Sequence, residues 1–87
     1  MDKMEELHEN VILIYSGCGG EKVRVNKCMG ICKDLLLNKD GDINVEAVSE
    51  LRAKTGLGLT WNVRGDRRVV AISYKDMAIE FASYPLK

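Results

Sequence analysis

The stretch Asn44–Tyr84, NVEAVSELRAKTGLGLTWNVRGDRRVVAISYKDMAIEFASY, carries one helical period followed by three strand periods, and its reading decides the fold. Asn44 can cap a helix in which Val45, Val48 and Leu51 form the buried stripe, with Ala47 and Thr55 alongside and Glu50 to Lys54 as an i,i+4 ion pair. Gly56 suits the left-handed residue just past the helix, and Leu57 can fold back on its last turn. Leu59, Trp61 and Val63 then alternate with polar residues. A turn at Arg64-Gly65-Asp66 leads to Val70, Ile72 and Tyr74, and a tight turn at Lys75-Asp76 leads to Met77, Ile79 and Phe81. This is a three-stranded antiparallel meander with one apolar face, and Pro85 closes its last strand without interrupting a ladder.

The N-terminal half has weaker periods. Residues 1–10 are polar apart from Met4 and Leu7 and read as a loosely ordered lead-in. Val11 to Tyr15 is a continuous apolar run ended by Ser16-Gly17-Cys18-Gly19-Gly20, and Val23 and Val25 alternate beyond it, which predicts a β-hairpin. Cys28, Ile31, Cys32, Leu35 and Leu36 fall at helical spacing, so Lys27–Leu37 is expected to be a helix with Asn26 as its cap. Asn38 to Asp42 has the composition of a turn. The expected fold is a single α+β domain over residues 1–87 in the order ββααβββ, an antiparallel sheet with two helices packed on one face.

An 87-residue chain has room for one small core, and a self-association surface would supplement it, so a homodimer is compatible with the sequence. Its 46% hydrophobic and 30% charged residues are those of an ordinary globular protein. No apolar run approaches the ~18 residues of a membrane span. The acidic start and the odd count of cysteines, Cys18, Cys28 and Cys32, point to a cytoplasmic protein with reduced thiols. The zero net charge conceals a dipole. Residues 1–50 carry 10 acids and 6 bases (−4), and residues 51–87 carry 3 acids and 7 bases (+4). That excludes both a uniformly acidic mimic of nucleic acid and a uniformly basic binder, while leaving room for a local patch.

Several motifs approach chemistry without reaching it. Cys28, Cys32, Cys18 and His8 could in principle complete a tetrahedral zinc set, but no C-x₂-C chelating pair occurs, and buried small residues are the better reading. Asn38, Asp40 and Asp42 have the spacing of a calcium loop, yet Ile43 stands where the loop needs glycine and Ser49 where it needs a bidentate acid. Gly17 to Lys22 lacks the spacing of a phosphate cradle, and Arg64-Gly65-Asp66 is a hairpin turn. With one histidine and no nucleophile beside a base, the chain is not expected to be an enzyme, and no cofactor or metal is assigned. The functional signal is a basic cluster: Arg64, Arg67 and Arg68 at one hairpin tip, with Arg52 and Lys54 near the end of the preceding helix. These five are the expected partner-binding residues. Exposed aromatics for base stacking are not apparent, because Trp61 and Phe81 fall on the core face; Tyr84 is the one candidate off it.

Gly56-Leu57-Gly58-Leu59-Thr60-Trp61-Asn62, Arg68 to Tyr74, and Ala78-Ile79-Glu80-Phe81 together resemble the copper amine oxidase N-terminal-like stalk domain over the second half of the chain. The resemblance implies a helix ended by glycine, a β-meander, and a non-catalytic module used as spacer or for recognition, without copper ligands. Val45-Glu46-Ala47-Val48 stands where that family has Val-Pro-Leu-Arg. Extended upstream, the resemblance would make Lys33–Leu37 a strand. The function expected is a small non-catalytic cytoplasmic binding protein acting by protein–protein contact as an inhibitor or adaptor. The alternatives are a nucleic-acid-binding module using the basic hairpin and a metal-binding module.

Overall fold

Asp2 opens the first helix with a reciprocal cap. Its carboxylate accepts from the Glu5 amide at 2.8 Å, and the Glu5 carboxylate accepts from the Asp2 amide at 3.5 Å. From there α1 (Lys3–Tyr15) runs with Met4, Leu7, Val11 and Ile14 on one buried face, a 3-4-3 spacing. It ends in a Schellman motif, with the Cys18 amide donating to the Leu13 carbonyl and Gly17 left-handed at φ 70°. The computed structural model describes residues 2–40 and 42–85.

The expected β-hairpin at residues 11–26 is therefore two helices. An apolar run of five residues fits a buried strand or a buried helix equally well, and here the face begun by Met4 and Leu7 continues through it. The lead-in expected at residues 1–10 supplies the first turns of α1, and Leu7 is wholly buried. Likewise α2 (Glu21–Leu36) starts six residues earlier than Lys27. Val25 joins Cys28, Cys32 and Leu35 on its inner side, whereas Val23 faces solvent. Lys33 to Leu36 are helical, and Leu37 pairs with Ile43 in an isolated bridge that closes the turn between α2 and α3. Gly41 of that turn lies outside the described residues.

The C-terminal half follows the sequence reading closely. In α3 (Val45–Thr55), the Asn44 side chain accepts from the Ala47 amide and Gly56 caps the other end at φ 80°. Strands β1 (Gly58–Arg64), β2 (Arg67–Tyr74) and β3 (Met77–Pro85) form an antiparallel sheet in the order β1-β2-β3. In its register Leu59 lies opposite Ile72, Trp61 opposite Val70, and Ile72 opposite Ile79. A bulge on β3 at Phe81 shifts the ladder, because Ala71 pairs with Glu80 but Val70 pairs with Ala82.

The element order is thus αααβββ rather than ββααβββ, with three helices instead of two. α2 packs against β3, α3 packs against β1, and α1 lies against both of those helices. Leu7, Val11, Cys28, Cys32, Leu36, Leu51, Leu59, Val70, Ile72 and Phe81 belong to one continuous buried cluster. At the far end of α1, the Tyr15 ring meets Tyr74 edge-on at 5.2 Å, and the Lys75 ammonium sits 5.5 Å from both ring centres. These contacts fasten the β2–β3 turn to α1. Among the described residues no helix is long and apolar enough to cross a membrane.

Candidate contact surface between α3 and β1

The five basic residues picked out in the sequence do not form one patch. Arg64 and Arg67 are paired across the first hairpin and so share a sheet face, while Arg68 pairs with Val63 on the opposite face. Each is engaged inside the molecule. Arg64 contacts Glu80 at 2.5 Å; Arg67 donates to the Ser83 hydroxyl at 2.7 Å and to its carbonyl at 2.9 Å; Arg68 reaches Asp42 at 3.3 Å. Lys54, expected to pair with Glu50 one turn back, instead bonds the Asp2 carboxylate at the start of α1. That ammonium, together with the capping amide of Glu5, holds Asp2 at a pKa of about 2. Exposed pairs of this kind add little to stability, but they take up charge a ligand would need. Arg52 alone of the five has no hydrogen-bond or ion-pair partner among the described residues.

Arg52 lies beside a feature the sequence reading did not locate. Between α3 and β1 runs an open groove of about 410 Å³. Val48 and Leu59, both buried, contribute its inner surface; Ile43 and Val45 line it at the start of α3; Trp61 lines it from β1. Ser49, Arg52 and Ala53 complete the helical side. By register Leu59, Trp61 and Val63 all point to the face that carries Val70 and Ile72. Leu59 is covered, whereas Trp61 is 50% exposed and Val63 is 64% exposed. The helical layer therefore stops short of the distal end of β1. Val45, expected in the buried stripe of α3, is 68% exposed for the same reason. Phe81 is buried as expected, and the side chain of Tyr84 lies outside the described residues.

Arg52 is the one ionisable side chain in the groove lining, and Ser49 has no base beside it there. The arrangement can hold an apolar side chain against Trp61 and Val45 and a carboxylate against Arg52. It provides no acid–base pair for turnover.

Cys18 stands apart from the other two thiols. Cys18 is exposed on the α1–α2 loop, whereas Cys28 and Cys32 are buried in the core, and none is in a disulfide. Burial raises the Cys28 pKa to about 11 and pushes Cys32 higher still. His8 packs near Tyr74 at 6.3 Å between ring centres. Among the described residues, no group of three or more His, Cys, Asp and Glu side chains converges as a metal site would require. In the turn before α3, Asp42 faces Arg68. No family model, curated protein or solved structure matches the chain.

Proposed function

We propose that this chain is a small, non-catalytic cytoplasmic binding protein that acts by protein–protein contact, as an inhibitor or adaptor does, through the groove between α3 and β1. A recognition module without turnover is also what the resemblance of its second half implies. The observation that carries the reading is the half-exposed Trp61 above an apolar groove flanked by Arg52, the basic residue left without an internal partner. Tryptophan and arginine are the side chains most often found to dominate contact energies, and a large apolar side chain is left in water at a cost unless something covers it. The partner surface that fits presents an apolar side chain next to a carboxylate. Three unpaired cysteines support a reducing compartment.

Selection from a displayed peptide library tests this. Enriched sequences are expected to place Leu, Phe or Trp beside Asp or Glu; Trp61→Ala abolishes the enrichment, and Arg52→Glu switches the preferred neighbour to Lys or Arg. Selection that survives both substitutions, or that yields no apolar–acidic motif, refutes the assignment.

A further inference from the structure

The sheet has two edges, and they are built differently. On β3, the bulge at Phe81 breaks the ladder and Pro85 removes an amide donor. These are the usual devices that stop an edge from accepting another strand. β1 has none of them: it is seven residues long, its register is continuous, it contains no proline, and its one charged residue is the terminal Arg64. The exposed Trp61 and Val63 lie along it.

Its sequence is also close to a palindrome in side-chain character. In Gly58-Leu59-Thr60-Trp61-Asn62-Val63-Arg64, Trp61 is the central residue. Antiparallel pairing of β1 with the same strand of a second copy, about a twofold axis through Trp61, places Leu59 opposite Val63, Thr60 opposite Asn62, and Trp61 opposite itself. Apolar meets apolar on the helical face and polar meets polar on the solvated face. A one-residue slip in register would put Trp61 opposite polar neighbours and lose that match. The chain's net charge of zero means that two copies meet without net repulsion.

We infer that β1 is a homodimerisation edge, joining two copies into one six-stranded sheet in the order β3-β2-β1-β1-β2-β3 with the Trp61 side chains at the seam. This rests on reading the α3–β1 face as the contact surface and names a second copy as its occupant. In the twofold arrangement each copy brings the exposed Trp61 and Val63 of β1 toward the other.

Light scattering or sedimentation of the full chain at micromolar concentration is expected to give twice the 9.7 kDa chain mass. Val63→Lys changes an exposed residue, so the fold is retained by circular dichroism. Because the twofold axis counts every substitution twice, it should weaken association by roughly a hundredfold or more. A Cys18→Ser, Trp61→Cys double variant should be joined efficiently by a short bis-maleimide, and a Cys18→Ser, Ala78→Cys variant on β3 should not. A wild-type chain that is monomeric throughout, a dimer indifferent to Val63→Lys, or cross-linking that favours β3 overturns the inference. Val63 does not line the groove. Peptide selection on the Val63→Lys variant therefore tests the groove independently: enrichment by a chain whose wild type is monomeric defeats the dimer alone, and failure of both defeats the contact surface itself.

Discussion

Leu7→Ala separates the helical N-terminal half from a loosely ordered one. Leu7 is completely removed from solvent within the core cluster, in contact with a layer that also contains Val11, Cys28 and Leu51. Truncating a leucine at such a site costs about 2–5 kcal/mol, the transfer of the lost carbons plus the cavity left behind. A chain of 87 residues has roughly 4–13 kcal/mol of total stability at about 0.05–0.15 kcal/mol per residue, so the loss is a large share of the whole. At roughly 4–8 °C per kcal/mol for a domain of this size, a cost of about 3 kcal/mol lowers Tm by about 12–24 °C. Thermal and urea unfolding followed by circular dichroism measure it, with protomer concentration held fixed because association would add to apparent stability. Val23→Ala is the control. Val23 is 63% exposed on α2, so its loss should change stability by no more than about 0.5 kcal/mol. A Leu7→Ala variant as stable as that control would show that α1 does not belong to the core.

Four further results are expected. With a thiol reagent under native conditions only Cys18 should react quickly, Cys28 and Cys32 becoming accessible on unfolding; rapid labelling of all three would contradict their burial. Because burial raises the pKa of both core thiols, their neutral forms stabilise the fold fully below the ordinary thiol value of 9.0, and that contribution falls as pH rises through about 11 for Cys28. An unfolding free energy that is flat between these limits in wild type, or an equal decline in a Cys28→Ala, Cys32→Ala variant, would count against it. At the acid end, the depressed Asp2 carboxyl contributes stability above its ordinary 3.8 that is lost as pH falls through about 2, and Asp2→Asn or Lys54→Met should remove this component of the acid profile. Gly56→Ala forces a side chain into φ 80° at the end of α3 and should cost about 1 kcal/mol, read by urea titration.

The second half of the fold was legible in the sequence because its periods are unambiguous and its boundaries are marked chemically. Asn44 and Gly56 bracket α3, Gly65-Asp66 and Lys75-Asp76 divide the strands, and alternation identifies the inner face of each. In the first half the same rules had two solutions. Val11 to Tyr15 satisfies a buried strand as well as a buried helix, and Val23 and Val25 mimic a strand although only Val25 faces inward. The deciding signal was present but distant from the run itself: the Asp2–Glu5 capping box and the 3-4-3 spacing from Met4 to Ile14.

The site was less legible for a related reason. Alternation reveals which sheet face Trp61 occupies but says nothing of how far the helical layer extends over it. The arginines looked like a cluster because they are adjacent in sequence, whereas strand geometry divides them between faces. Their partners Glu80, Ser83 and Asp42, like Asp2 for Lys54, lie 16 to 52 residues away in sequence. Arg52 stands out only once those pairings are known.

Trp61 is the chain's sole tryptophan, so its fluorescence reports the contact surface directly. If the α3–β1 face is where this protein meets its partner and a second copy occupies it, wild-type emission shifts to shorter wavelength as protein concentration rises, while the folded Val63→Lys variant keeps a water-exposed spectrum at every concentration. Coincident, concentration-independent spectra from the two proteins would contradict the account.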